Sequence, residues 1–268
     1  WPVYLLGAFI FIQVQVTVYS LMHEACHRLA HRNALVNYVI GLLLGMLFFI
    51  PFTFFEHVHN EHHRLNRTDH EMFDLYYPGE SRWKKALWLY IILIGFYWLS
   101  LPVLTIVFAF WPGLARWTVF RRSTSLQPKV DSLFTEKMRY IRAESALILL
   151  FHFMLLYALQ VPWQAYVIYH LALAVSWSSQ NYVNHAFAPR DILRGAHNHK
   201  LGFLTGYLYL NYNCHRVHHT QPALSWKYLS HFVDESEPGR ISYYAAWLRI
   251  WGGPRETHQG PPRPLAEH

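Results

Sequence analysis

Apolar and polar stretches divide the chain before any single residue is considered. Residues 1–22 are almost wholly apolar, interrupted only by Gly7, Gln13, Gln15 and a few hydroxyl side chains. About 20 such residues coiled as a helix cross the hydrocarbon of a bilayer, roughly 30 Å thick. Residues 36–55 are apolar again but carry Gly41, Gly45 and Pro51, and residues 86–111 carry Pro102 in their middle. Two helix-length runs, 144–160 and 163–180, are joined at Val161-Pro162 and read as a tight transmembrane hairpin. Residues 201–213 are too short to span and are expected to run along the interface. From about residue 252 a polar tail rich in Pro and Gly is expected to be irregular. No internal repeat appears, so residues 1–268 read as one membrane domain of the all-α class, with transmembrane and interfacial helices.

Composition agrees with that pattern. The chain is 53% hydrophobic, 18% aromatic and only 15% charged, where a soluble domain carries about 25% charged residues. Its 11 tryptophans and 18 tyrosines suit rings lying at a bilayer interface. An integral protein of an inner, plasma or other cellular membrane is expected. Lys and Arg number 23 against 16 Asp and Glu. Arg28, Arg32, Arg64, Arg67, Arg82, Lys84, Lys85, Arg116, Arg121 and Arg122 all lie outside the apolar runs. By the positive-inside rule those loops face the cytoplasm. Such a basic face also attracts anionic headgroups or an acidic protein; nucleic acid is not among the expected partners. The two cysteines, Cys26 and Cys214, form no CxxC spacing, so neither a zinc ribbon nor an iron–sulfur site is encoded. They are expected to be small packing residues, free thiols in a reducing compartment.

Histidines punctuate the edges of the apolar runs. They form three clusters: His23-Glu24-Ala25-Cys26-His27, His59-Asn60-Glu61-His62-His63 and His215-Arg216-Val217-His218-His219. Residues three and four apart share a helix face, so each cluster aims two or three imidazoles at one place. Neutral imidazole binds iron, zinc and copper. One such cluster is equally well a surface patch; three, each at the edge of an apolar run, are not. Eight histidines exceed what one ion holds, which points to two metal ions.

A shared site restricts the topology. If 36–55 crossed the bilayer once, the first two clusters would face opposite sides, so this run is expected to re-enter or lie along the surface. The 86–111 run is expected to be a bent hairpin or interfacial segment broken at Pro102. The second hairpin helix ends in Asn181-Tyr182-Val183-Asn184-His185. His185 then emerges level with the clusters, either as a ninth ligand or as a capping histidine, and Asn181 one turn earlier is placed to bind a metal-held water. His31, one four-residue step beyond His27, is expected to be solvated or to support a ligand in preference to replacing His27 as one. His57 would point away from His59, His62 and His63. His152 and His170 read as packing or substrate-channel residues, and His197 and His199 as exposed or supporting ones. Glu56, Glu61, Asp69, Glu71 and Asp74 surround the second cluster, where a carboxylate accepts the second ring N–H of a ligand histidine.

In this order, with 31 residues between His27 and His59 and a hairpin before the third cluster, the histidine boxes resemble those of the membrane fatty-acid desaturase superfamily. That superfamily also contains alkane and fatty-acid hydroxylases and carotenoid ketolases. The resemblance covers about residues 1–232 and implies a non-haem di-iron centre on His23, His27, His59, His62, His63, His215, His218 and His219. The acyl-CoA desaturase branch uses an Asn-x-x-x-His that Asn181 and His185 match. Imidazole alone would accept iron, manganese or zinc; the redox role implied by the resemblance picks iron, with O2 as co-substrate. The expected substrate is a fatty acid or acyl thioester within membrane lipid. Its chain would be held in an apolar tunnel walled by 88–99 and 163–182, and its headgroup by cations such as Arg28, Arg64 or Arg190. No fused cytochrome signature or rubredoxin-type cysteine set is present, which implies a separate electron donor of ferredoxin, rubredoxin or cytochrome b5 type.

The third box departs from that of many front-end desaturases, which leaves the reaction open. Desaturation is the first expectation; hydroxylation, and oxidative decarboxylation of a free fatty acid to a terminal alkene, use the same ligands. A metal transporter would need a path of ionisable residues across the spans, and few are present. A hydrolytic zinc enzyme would need a Glu placed as base beside an open three-ligand site.

Overall fold

The computed structural model describes residues 2–116, 137–237 and 240–265. In chain order the helices are α1 (Pro2–Cys26), α2 (Ala34–Leu47), α3 (Phe52–Leu65), α4 (Arg82–Leu93) and α5 (Phe96–Phe110). After these come α6 (Lys137–Leu159), α7 (Trp163–Tyr182), α8 (Phe203–Leu208), α9 (His215–Thr220), α10 (Trp226–Leu229) and α11 (Tyr243–Ile250). Two short strands, β1 (Leu75–Tyr76) and β2 (Arg255–Glu256), are the only sheet among the described residues. The chain forms two compact units, residues 1–61 with 97–175 and residues 62–96 with 176–268. Arg121 and Arg122, counted above among the basic loop residues, lie outside the described residues.

The first unit is the apolar one. α1 and α6 are each long and apolar enough to cross a membrane, and the number of spans rises to four if each of two bent helix pairs is one span. The outward residues of α1, among them Val3, Leu5, Leu6, Phe9 and Ile10, have no protein cover, as a lipid-facing surface requires. α7 has the length of a span but not the apolarity. Gln164, His170, Ser176, Ser178, Ser179, Gln180 and Asn181 dilute it, so only α6 of the expected hairpin meets the standard of a spanning helix.

The 36–55 run does break, as a shared site demands. α2 and α3 meet at 96°, across a turn in which Phe49 adopts a left-handed φ of 58°. The Ile50 N–H returns to the Gly45 carbonyl at 3.0 Å, and Pro51 cannot continue α2. Gly41 and Gly45 make the turn possible. A Cβ on Gly41 would come within 2.4 Å of the Phe52 ring, and one on Gly45 within 2.5 Å of the Ile50 carbonyl. His152 braces the same turn: its Nε2 lies 2.8 Å from the Met46 carbonyl, its Nδ1 2.8 Å from the Tyr166 hydroxyl, and its ring stacks on Phe49 at 4.2 Å. It is a packing residue, as one of its two expected roles allowed.

Two expectations are corrected. The 86–111 run breaks at Gly95 and not at Pro102. Gly95 has φ 90°, the conformation that ends a helix at little cost when no Cβ is present, whereas Pro102 lies inside α5. The tail from 252 is not wholly irregular. β2 pairs in parallel with β1, the Arg255 N–H donating to the Asp74 carbonyl and Thr257 N–H to that of Tyr76, both at 2.9 Å. Residues 201–213 form the six-residue α8 and a series of turns, with Phe203 and Leu204 exposed.

Candidate metal centres

Helix ends carry the histidines. α1 continues through His23 and stops just before His27, where Arg28 takes a left-handed φ of 60° and the Leu29 N–H closes on the Glu24 carbonyl at 2.9 Å. α3 carries His59, His62 and His63 in its last two turns. Both helices thus present the negative end of their dipole beside the imidazoles, which favours a cation there.

Within the first unit, His23, His27 and His59 converge. Their ring centroids are separated by 5.1, 4.4 and 4.9 Å, and His27 Nε2 is 2.8 Å from His59 Nε2. One potential ligand atom from each lies within 4.8 Å of the others.

Within the second unit, His62, His185, His215 and His219 form a quartet under the same 4.8 Å limit. Neighbouring rings stand 4.6 to 5.1 Å apart. His63 and His218, also in this unit, bring their Nε2 atoms to 3.1 Å. All nine histidines singled out from the sequence fall into such groups. Among the described residues neither cluster includes His31, His57, His197 or His199.

The donor sets fit a transition metal. Two imidazole nitrogens bonded at about 2.1 Å to one ion, and at right angles, lie about 3 Å apart, close to the 2.8 and 3.1 Å pairs. His219 is buried and its Nε2 has no hydrogen-bond partner, an orphaned donor aimed among imidazoles. Burial, with His62 next, holds the His185 imidazole well below its usual pKa. Burial, with His63 and His215 next, does the same for His219. Both rings are therefore neutral near pH 7, the form that ligates.

Supporting contacts fix the rings. His185 Nδ1 is 3.0 Å from the Gly195 carbonyl, to which it donates in the tautomer that leaves Nε2 for a metal. His62 Nδ1 lies 3.5 Å from Glu71 Oε2, the role anticipated for acids near the second box. His219 Nδ1 lies 3.4 Å from Asn66 Nδ2. Asn181 Oδ1 accepts from the Tyr212 hydroxyl at 2.6 Å, and the Tyr212 ring packs on His215 at 4.8 Å. Asn181 therefore reaches the third box through a tyrosine.

Several neighbours differ from expectation. Asp74 does not orient an imidazole; it is fully buried and paired with Arg67 at 2.7 Å. Asp69 is taken by Arg190 at 2.7 Å and by the Tyr77 hydroxyl at 2.8 Å. Arg190 is no headgroup anchor, because its side chain is enclosed by Asp69, Tyr77 and the Arg67 carbonyl. His199 and His197 follow the second of their two expected roles, as supporting residues: His199 is buried with its Nε2 3.2 Å from the Val183 carbonyl, and His197 Nε2 is 3.0 Å from that of Ala186. The two brace the turn that holds His185. Cys214 packs with Val217 and Leu229, and burial pushes its thiol up to about 12, so it stays protonated and packs as expected. Glu144, a buried carboxylate at the head of an apolar run, escaped the sequence reading, although an acid at such a position is itself a signal.

A family model described as fatty acid desaturase matches residues 1–251. No curated protein and no solved structure matches the chain.

Proposed function

The chain belongs to the fatty acid desaturase family, and on that premise we propose that it is a di-iron membrane oxidoreductase using O2 to desaturate a fatty acyl chain. The observation that carries this reading is the quartet His62, His185, His215 and His219, three of them buried, with an orphaned Nε2 on His219. That quartet is the proposed seat of one iron. The trio His23, His27 and His59 is the proposed core of the second seat, and His63 and His218 complete the ligand complement. Two irons held this way supply the redox chemistry by which O2 oxidises an unactivated C–H bond.

The chain's own residues set the conditions for that chemistry. Burial keeps the His185 and His219 rings neutral. The Gly195 carbonyl, Glu71 and the Asn181–Tyr212 pair orient three of the boxed or flanking histidines. Asn181 is proposed to reach a metal-held water through its amide. An acyl chain offers no functional group near the reacting carbon, so regioselectivity rests on depth of insertion beside the first unit's apolar helices. The exposed Arg28, next to His27, is the proposed headgroup cation. Electrons are proposed to come from a separate ferredoxin, rubredoxin or cytochrome b5-type protein on the cytoplasmic side.

Two measurements test the reading together. Metal analysis of purified protein is expected to give about two irons per chain; one zinc would point to hydrolysis instead. Mass spectrometry after supplying medium- and long-chain fatty acids with a reductant is expected to show loss of two hydrogens. An added oxygen or a terminal alkene one carbon shorter would replace the desaturase outcome with hydroxylation or decarboxylation.

A further inference from the structure

No helix carries His185. Residues 183–187 are a succession of turns, with Phe187 at a left-handed φ of 61°, yet the histidine stands in register with three others. Both shoulders of the turn are tied to one carboxylate. The Tyr182 hydroxyl donates to Asp74 Oδ1 at 2.6 Å and the Phe187 N–H donates to Asp74 Oδ2. Asp74 in turn receives Arg67 Nη1 at 2.7 Å and Nη2 at 3.2 Å, and that Nη2 also donates to the Ala188 carbonyl at 2.9 Å. The pair therefore grips residues 182, 187 and 188, on either side of His185.

The same arginine reaches the ring from its other face. The Gly195 carbonyl is the partner of His185 Nδ1, and residue 195 rests directly on the end of the second box. A Cβ there would come within 2.3 Å of Arg67 Cγ and 3.0 Å of Asn66 Nδ2. Asn66 Nδ2 donates to the Ile192 and Gly195 carbonyls at 2.8 and 3.3 Å. Both side chains of the ion pair are completely buried. A buried pair of this kind is weak evidence of stability, since apolar side chains of similar volume often do as well. Conformational specificity is the better account of its presence.

We propose that the buried Arg67–Asp74 pair is the positioning device that holds His185 in the metal-binding quartet. The inference rests on reading that quartet as a metal site. Neither residue touches the metal; both act through Tyr182, Phe187, Ala188 and Gly195.

Cobalt(II) is the probe, titrated into the metal-free, detergent-solubilised full chain and followed by calorimetry and by its ligand-field absorption. Tyr182→Phe and Asp74→Asn are compared with Asp74→Glu and His185→Ala. The wild type is expected to bind two ions. Tyr182→Phe and Asp74→Asn are expected to weaken one of them about 10- to 100-fold, the range for lost outer-shell partners, with an altered absorption band for that ion alone. Asp74→Glu is expected to restore part of the loss. Wild-type affinity and spectrum in Tyr182→Phe, which removes only one hydroxyl and folds more readily than a charge deletion, would overturn the inference. If instead His185→Ala retains both cobalt ions, the reading of the quartet itself fails, a result distinct from failure of the positioning role.

Discussion

Glu144 takes two hydrogen bonds from Thr53, the backbone N–H at 2.9 Å on one oxygen and the hydroxyl at 2.5 Å on the other. Thr53 is the second residue of α3, where N–H groups have no partner within the helix. A carboxylate from α6 thus caps the helix that bears the second histidine box, and the Tyr38 hydroxyl adds a third donor at 2.6 Å. Replacement Glu144→Leu leaves all three donors unsatisfied in a buried place. It is expected to destabilise the protein by about 3 kcal/mol or more, read as a lower melting temperature in detergent, with Glu144→Gln intermediate. Equal melting of all three proteins would refute the cap.

Histidine substitutions should sort by their place in the two groups. His219→Ala and His62→Ala are expected to lower bound iron to about one per chain and to abolish product, with the protein still inserted in the membrane. His57→Ala, although its residue is buried, is expected to retain nearly all its iron. Metal analysis of membrane-purified protein checks this, and a large loss in His57→Ala would mean that the second box has been misassigned.

The turn between α2 and α3 depends on a missing side chain. Gly45→Ala sets a Cβ against the Ile50 carbonyl, a backbone atom that cannot swing aside. A cost of about 1–3 kcal/mol is expected. Gly113→Ala meets nothing within 4 Å and serves as the control, expected to melt with the wild type.

A pH dependence of stability follows from His199. Burial, with His197 beside it, pushes its imidazole down to about 4, against about 6.5 in an unfolded chain. Between these values the unfolded chain binds the extra proton, so stability is full above about pH 6.5 and falls as pH drops towards 4, by up to about 3 kcal/mol. In metal-free protein, His199→Gln is expected to flatten that slope between pH 7 and 4.5 relative to wild type. An unchanged slope would assign the acid sensitivity to other groups.

Much of this was legible because it depends on local spacing. The three boxes, the helical period that aims them, and the demand that 36–55 must not cross once all follow from one-dimensional order. The break at Gly95 was also written in the chain, but Pro102 drew attention from it. A proline can be absorbed inside an apolar helix whose neighbours cover it, while a glycine with positive φ ends the helix outright. His185 was visible only as half of a spacing, since no helix places it.

Partner choice among charged groups was not legible at all. Asp69, Asp74, Arg67 and Arg190 read as loop charges near a metal site, and proximity in sequence suggested that the acids would face imidazoles and that Arg190 would face a substrate. Arg67 and Asp74 instead bury one another, and the enclosed Arg190 takes Asp69 at the surface, because a charge withdrawn from water must be matched at close range, and the match is made by whichever group the fold brings near. The order of residues decided the fold class, the membrane habit and the spacing of the histidine boxes. The tertiary structure alone decided which of those histidines come within reach of one another and which carboxylate meets His62. Ligand spacing is written along a helix, whereas the pairing of distant charges exists only once the chain has closed on itself.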